Sequence, residues 1–108
     1  MNFRPQRVGK LIQHELGLFL AKELEFPNAL VTITDVEVEG KLDHAVVRLS
    51  VIPSSAAEES LRIAARSAGR LQHLLLKKIN IKPMPRIRFE IDHGPENAAA
   101  VEKALLDA

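Results

Sequence analysis

The chain has 108 residues, of which 46% are hydrophobic and 27% charged, with a formal net charge of +1 and no cysteine. This composition is typical of a globular domain, and it excludes disulfides, thiolate nucleophiles and thiolate metal sites. No apolar run approaches the roughly 18 residues of a membrane span, and the charged N-terminus lacks the pattern of a targeting segment. We therefore expect a single cytoplasmic domain over residues 1–108, with no membrane partner.

The first predicted element is a helix from Pro5 to about Leu24, because apolar residues recur there every three or four positions. Two strands follow it. The first covers residues 30–39, and its alternation slips near Asp35, which indicates a β-bulge. The second covers residues 45–51, where apolar and polar residues alternate strictly.

A long helical pattern follows the second strand. Ser54 or Ser55 is expected to cap it, with Glu58 completing a capping box. A straight helix over residues 55–81 would span about 40 Å, which is too long for a domain of this size, so a bend is required. Gly69 is the expected position of the bend, because glycine in a helix interior costs about 1 kcal/mol relative to alanine.

The last elements are a third strand and a C-terminal helix. The sequence RIRFEID, residues 86–92, alternates with Ile87, Phe89 and Ile91 on one face. A weaker helical pattern covers residues 96–106. The order of elements predicts an α+β domain in which helices cover one face of a three-stranded sheet.

Charge is distributed unevenly along the chain. Residues 60–89 contain eight basic side chains and no acidic one, whereas residues 23–59 contain eight acids and two bases. Such asymmetry gives the molecule a positive side and often indicates a polyanionic partner.

No catalytic or metal-binding pattern is found in the sequence. The histidines are scattered, no glycine-rich phosphate loop occurs, and the serines lack a nucleophile elbow. We therefore expect a protein that is not an enzyme and that uses no cofactor, no metal and no small-molecule substrate.

The pattern that indicates a function is a basic stripe. Five residues, spaced three or four apart, would line one side of the bent helix pair: Arg62, Arg66, Arg70, His73 and Lys77. Further bases extend the region toward the third strand: Lys78, Lys82, Arg86 and Arg88. Nucleic-acid phosphate is the expected partner, and an ordinary solvated helix flank is the alternative interpretation.

Aromatic residues give little support for base stacking. The chain has no tryptophan or tyrosine, and Phe19 and Phe89 occupy predicted core positions, which leaves Phe3 and Phe26 as candidates for exposure. Recognition of backbone and shape is therefore favoured over recognition of bases.

Four segments together resemble the ribosome-binding factor A family, bacterial ribosome-assembly proteins with a type II KH-like fold. They are RVGKLIQHEL (7–16), LVTITDVEVEGKLDHAVVRLSV (30–51), SAGRLQHLLLKKI (67–79) and PRIRFEID (85–92), and they cover nearly the whole chain. The resemblance implies a monomer that binds the small (30S) ribosomal subunit and the 5′ region of its 16S rRNA. It also implies assistance to late 30S maturation and 16S 5′-end processing without catalysis, with importance for growth in the cold.

The resemblance also bears on the bend. KH domains carry G-x-x-G between the two helices, whereas this family has an Ala-x-Gly kink, which here becomes Ser67, Ala68 and Gly69. Two features depart from the family. Phe26-Pro27-Asn28 stands where many members have Asp-Pro-Arg, and the chain ends at Ala108 without the longer extension of some members.

The leading hypothesis is an RNA-binding assembly factor whose phosphate contacts come from Arg62, Arg66, Arg70, Lys77, Lys78 and Lys82, with Arg7 and Lys10 of the first helix as further candidates. The alternative is a protein-interaction module. Its acidic hairpin would dock a basic ribosomal or other protein through Asp35, Glu37, Glu39 and Asp43.

Overall fold

The computed structural model describes residues 4–39 and 41–94. Their helices and strands are, in chain order, α1 (Arg4–Glu23), β1 (Leu30–Val38), β2 (His44–Ile52), a 3-10 turn (Ser54–Ala56), α2 (Ala57–Arg66), α3 (Ala68–Lys78) and β3 (Arg86–Ile91). This order confirms the predicted α+β, type II KH-like fold. The predicted C-terminal helix over residues 96–106 lies outside the described residues. Within the described ranges, no helix is long and apolar enough to cross a membrane.

The three strands form one sheet in the order β1-β2-β3, with β1 antiparallel and β3 parallel to the central β2. Parallel neighbours need a crossover connection, and the α2–α3 pair provides it. The pairing of Ile33 with Leu49 is followed by that of Asp35 with Arg48, so Thr34 is an extra residue in β1. The predicted bulge is confirmed.

Helices cover one face of the sheet, and the core lies between the two layers. α1 buries Val8, Ile12, Leu16 and Leu20, which recur at helical spacing. The other core contacts come mainly from β2 and α3, whose most buried side chains are Ala45, Val47, Leu49, Leu71 and Leu75. Within the described residues, the helices therefore lie against a single face of the sheet.

The turn between α1 and β1 contains the Phe26-Pro27-Asn28 sequence. Phe26, a candidate for exposure, is half-buried and packs against the core. Asn28 has a φ of 59°, in the left-handed region that asparagine tolerates better than most residues. Phe26 therefore gives the turn an apolar anchor, and Asn28 suits its left-handed conformation.

The start of the helix pair differs from the predicted capping box. Ser54 and Ser55 lie in the 3-10 turn, and α2 begins at Ala57 with Ala56 as its N-cap and no side-chain cap hydrogen bond. The backbone N–H of Ala56 donates to the Pro53 carbonyl at 3.0 Å. The chain therefore enters the helix through backbone bonds of the preceding turn, which leaves no place for a serine cap.

The bend between the two helices lies within the predicted Ser67, Ala68 and Gly69 segment, but its expected position at Gly69 is wrong. The break falls at Ser67, which has φ −94° and ψ 1° and whose N–H donates to the carbonyls of Ile63 and Ala64. This tightened last turn requires no glycine. Gly69 lies inside α3, and no described glycine has a positive φ.

We expect Gly69→Ala to stabilise the protein by about 0.4–1 kcal/mol, because the helical conformation suits alanine and glycine has the greater freedom when unfolded. A Cβ at this position would meet no atom within 4 Å. Denaturant unfolding measures the change. In the contrasting variant Gly9→Ala, the added Cβ would lie 2.7 Å from the Val36 carbonyl oxygen, so we expect destabilisation. A loss of stability in Gly69→Ala would contradict the assignment of the bend to Ser67.

Candidate nucleic-acid interface

Every side chain that the sequence predicts to contact phosphate is exposed. The helix pair carries most of them: Arg62 and Arg66 on α2, and Arg70, Lys77 and Lys78 on α3. Lys82 follows α3 in the loop before β3, and Arg7 and Lys10 lie on α1. The exposure expected from the sequence pattern is therefore present at all eight positions.

The helix pair presents its cations away from the core. α2 buries Ser60 and Ala64, and α3 buries Leu71 and Leu75. The break between the two helices is the single residue Ser67, and the predicted cations on both sides of it are exposed. We call Arg62, Arg66, Arg70, His73 and Lys77 the helix-pair stripe.

Arg70 differs from the other cations of the stripe. Its guanidinium Nη2 donates a hydrogen bond to the Glu23 carboxylate at the end of α1. Within the described residues, no ion pair forms at Arg62, Arg66, Lys77, Lys78, Lys82, Arg7 or Lys10. The basic segment contains no acidic residue of its own, but the fold brings Glu23 from α1 to Arg70 and neutralises this one arginine.

Arg86 and Arg88 do not continue the stripe. Ile87 and Phe89 of β3 are buried under the helices, so the alternating arginines point to the open face of the sheet. There Arg88 lies 4.0 Å from Glu90. The expected extension of the basic region onto the third strand is therefore wrong, because strand alternation separates these arginines from the helices.

A glutamine that sequence reasoning missed connects α3 to β3. The Gln72 amide donates to the Pro85 carbonyl, its oxygen accepts from the Ile87 N–H, and both distances are 2.9 Å. The two bonds fix the direction of the basic helix relative to the sheet. Nothing in the local sequence distinguishes Gln72 from a solvated helix residue.

The acidic hairpin is partly neutralised inside the sheet. Arg48 donates to Glu37 at 2.8 Å, to Asp35 at 2.9 Å and to Glu90 at 3.2 Å, and so links all three strands. The hydrogen bond with Glu37, helped by those with Glu90 and Asp35, raises the pKa of the Arg48 guanidinium. Two of the four carboxylates proposed to dock a basic protein are therefore used within the fold.

The groove between α1 and β1 is apolar. It has a volume of about 450 Å³ and is lined by side chains such as Leu20, Phe26 and Ile33, with no titratable group among them. In the described residues, no group of three or more histidine or carboxylate side chains could hold a metal ion.

The carboxylate of Asp92 lies just beyond β3. It accepts a hydrogen bond from the Thr34 hydroxyl at 2.7 Å and another from the Gly94 N–H at 2.9 Å. These bonds, the one from Thr34 being the more effective, lower the pKa of Asp92 below its ordinary value. The bulge residue of β1 is thereby tied to the end of β3.

We expect Thr34→Val to raise the pKa of Asp92 toward the ordinary value of about 3.9, because the stronger hydrogen bond to the ionised carboxylate is lost. NMR titration of the carboxyl carbon measures it. A carboxyl whose pKa is lower in the folded state than in the unfolded state stabilises the fold at pH values above the unfolded-state pKa. This stabilisation is lost as the pH falls through the folded-state pKa. The stability advantage of Thr34 should therefore be present at neutral pH and shrink below about pH 4. Thr32→Val is the control, and an unshifted Asp92 in Thr34→Val would contradict this reasoning.

The order α-β-β-α-α-β, with a broken helix pair connecting two parallel strands, defines a type II KH-like domain, and here the pair carries exposed cations. The profile of a family described as ribosome-binding factor A matches residues 4–105. The chain belongs to the ribosome-binding factor A family.

Individual relatives agree with this assignment. Ribosome-binding factor A of Beutenbergia cavernae is 36% identical, over 99% of this chain and 69% of the relative. That of Ectopseudomonas mendocina is 34% identical, over 96% of this chain and 88% of the relative. A Thermotoga maritima protein, solved by solution NMR as a candidate ribosome-binding factor A, is 27% identical with a TM-score of 0.70, over 87% of this chain and 93% of that one.

A further comparison supports the fold alone. A homology model of ribosome-binding factor A from Thermus thermophilus, as fitted into a cryo-EM map of a complex with the 30S subunit, gives a TM-score of 0.68 at 21% identity. It covers 78% of this chain and 90% of its own.

Proposed function

We propose that this protein binds the small ribosomal subunit by contacting 16S rRNA phosphates with its helix-pair stripe. Bound there, it assists late maturation of the subunit, including processing at the 5′ end of 16S rRNA. Family membership and the 30S complex of the Thermus relative support the choice of partner. The stripe, together with Lys78 and Lys82, supports the choice of surface.

The observation that carries the proposal is the number of exposed cations on the helix pair that have no acidic partner in the described chain. The phosphates of an RNA backbone would neutralise these cations together. Each phosphate neutralised in this way releases condensed counterions, so affinity should depend steeply on salt. Arg7 and Lys10 lie on the adjacent α1 and are secondary candidates for the same contact.

The type of readout follows from the residues beside the cations. Of the phenylalanines in the described ranges, Phe19 and Phe26 are half-buried and Phe89 is buried, so none offers a free ring for stacking. Contact with the RNA backbone therefore dominates, as in shape-based recognition of RNA. Maturation would then be promoted because binding favours one RNA conformation over another, which needs no catalytic group.

The test measures binding to purified 30S subunits and to protein-free 16S rRNA at several salt concentrations. We expect the double variant Arg62→Gln, Arg66→Gln to bind more weakly. Its plot of log affinity against log salt should flatten by about 1.4–1.8, because each lost phosphate contact removes roughly 0.7–0.9 from the slope.

The matched control is the double variant Lys41→Gln, Arg86→Gln. It removes the same charge from the hairpin turn and the open sheet face, so affinity and slope should stay close to those of the wild type. Equal losses in both variants would show a non-specific charge effect. Binding to subunits but not to protein-free rRNA, with an unchanged slope in the stripe variant, would favour a protein-interaction module instead.

A further inference from the structure

We propose that Glu23 occupies, in the free protein, the place that an RNA phosphate takes at Arg70, so that RNA binding exchanges one anion for the other. Glu23 then belongs to the interface although it carries the same charge as RNA. The inference rests on the proposed function, and it deepens that function by adding a residue that sets the affinity of the site.

The geometry of the pair suits such an exchange. Glu23 is the last residue of α1, and Arg70 lies in the first turn of α3. The Arg70 side chain is 59% exposed while that of Glu23 is 27% exposed, so the guanidinium remains accessible from solvent. A guanidinium has five N–H donors, and the contact with Glu23 uses only its Nη2 nitrogen.

The helix dipoles do not reinforce this ion pair. A carboxylate at the end of α1 and an arginine at the start of α3 each oppose the dipole of their own helix. A phosphate offers more oxygens to the guanidinium fork than a carboxylate does, so Arg70 can bind a phosphate in place of Glu23.

The ion pair is also weak enough to be displaced. An exposed pair of this kind is worth about 1.5- to 5-fold in an equilibrium constant. A polyanion that contacts Arg66 and Lys77 at the same time gains enough affinity from those contacts to offset the displacement of Glu23. An isolated small anion makes no such additional contacts. Glu23 thus makes the site selective for an anion that is extended along the stripe.

The experiment is a double-mutant cycle read out as affinity for protein-free 16S rRNA at one low salt concentration. We expect Glu23→Gln to tighten binding about 1.5- to 5-fold, because Arg70 is freed without displacing a carboxylate. In an Arg70→Gln background the same change should have no more effect than the control. That control is Glu25→Gln, which removes an equal charge from an exposed residue just beyond α1 that has no ion pair in the described chain.

The outcomes separate this inference from the proposed function. Equal tightening in Glu23→Gln and Glu25→Gln, or a gain that persists without Arg70, overturns the exchange and leaves RNA binding by the stripe intact. Wild-type protein that fails to bind either 16S rRNA or 30S subunits overturns the proposed function and the exchange with it. Circular dichroism of all variants establishes that they are folded.

Discussion

The parallel pairing of β2 with β3 is the constraint on which the rest of the structure depends. Two parallel neighbours cannot be joined by a hairpin, so the chain between them must cross one face of the sheet. The α2–α3 pair makes that crossing, and it has to turn back within the width of a small sheet. The bend at Ser67 and the outward position of the basic residues both follow from this crossing. α1 then covers β1 and completes the layer.

The elements themselves were predictable because each follows from a local period. The helical spacing of α1, the alternation of all three strands and the phase slip at the bulge are visible in the sequence, and the structure confirms them. The site of the bend was not predictable in the same way. Helix propensity identifies the position at which a helix is least stable, and this criterion selects Gly69. The bend instead falls where the long-range contacts of both helices require it, with Gln72 fixing α3 to β3.

The candidate interface was predictable in part for the same reason. Helical phase alone predicts that Arg62, Arg66 and Lys77 are exposed. It cannot predict that Arg70 meets Glu23, 47 residues earlier, or that Arg48 collects carboxylates from two other strands. Those contacts depend on how the helices and strands pack, so they cannot be predicted by counting charges along a segment. Arg86 and Arg88 illustrate the limit, since they are close to the stripe in sequence and on the other side of the sheet in space.

The distribution of ion pairs gives the two faces different roles. On the open sheet face, Arg48 is surrounded by Asp35, Glu37 and Glu90, so the charges there largely compensate one another. On the helix side, the described chain supplies one carboxylate, Glu23, to the stripe. A net charge of +1 therefore conceals a positive field that arises mainly from the helix pair. The balanced sheet face is the reason why we propose the helix pair as the surface for a polyanion, with Glu23 as the carboxylate that the polyanion would displace.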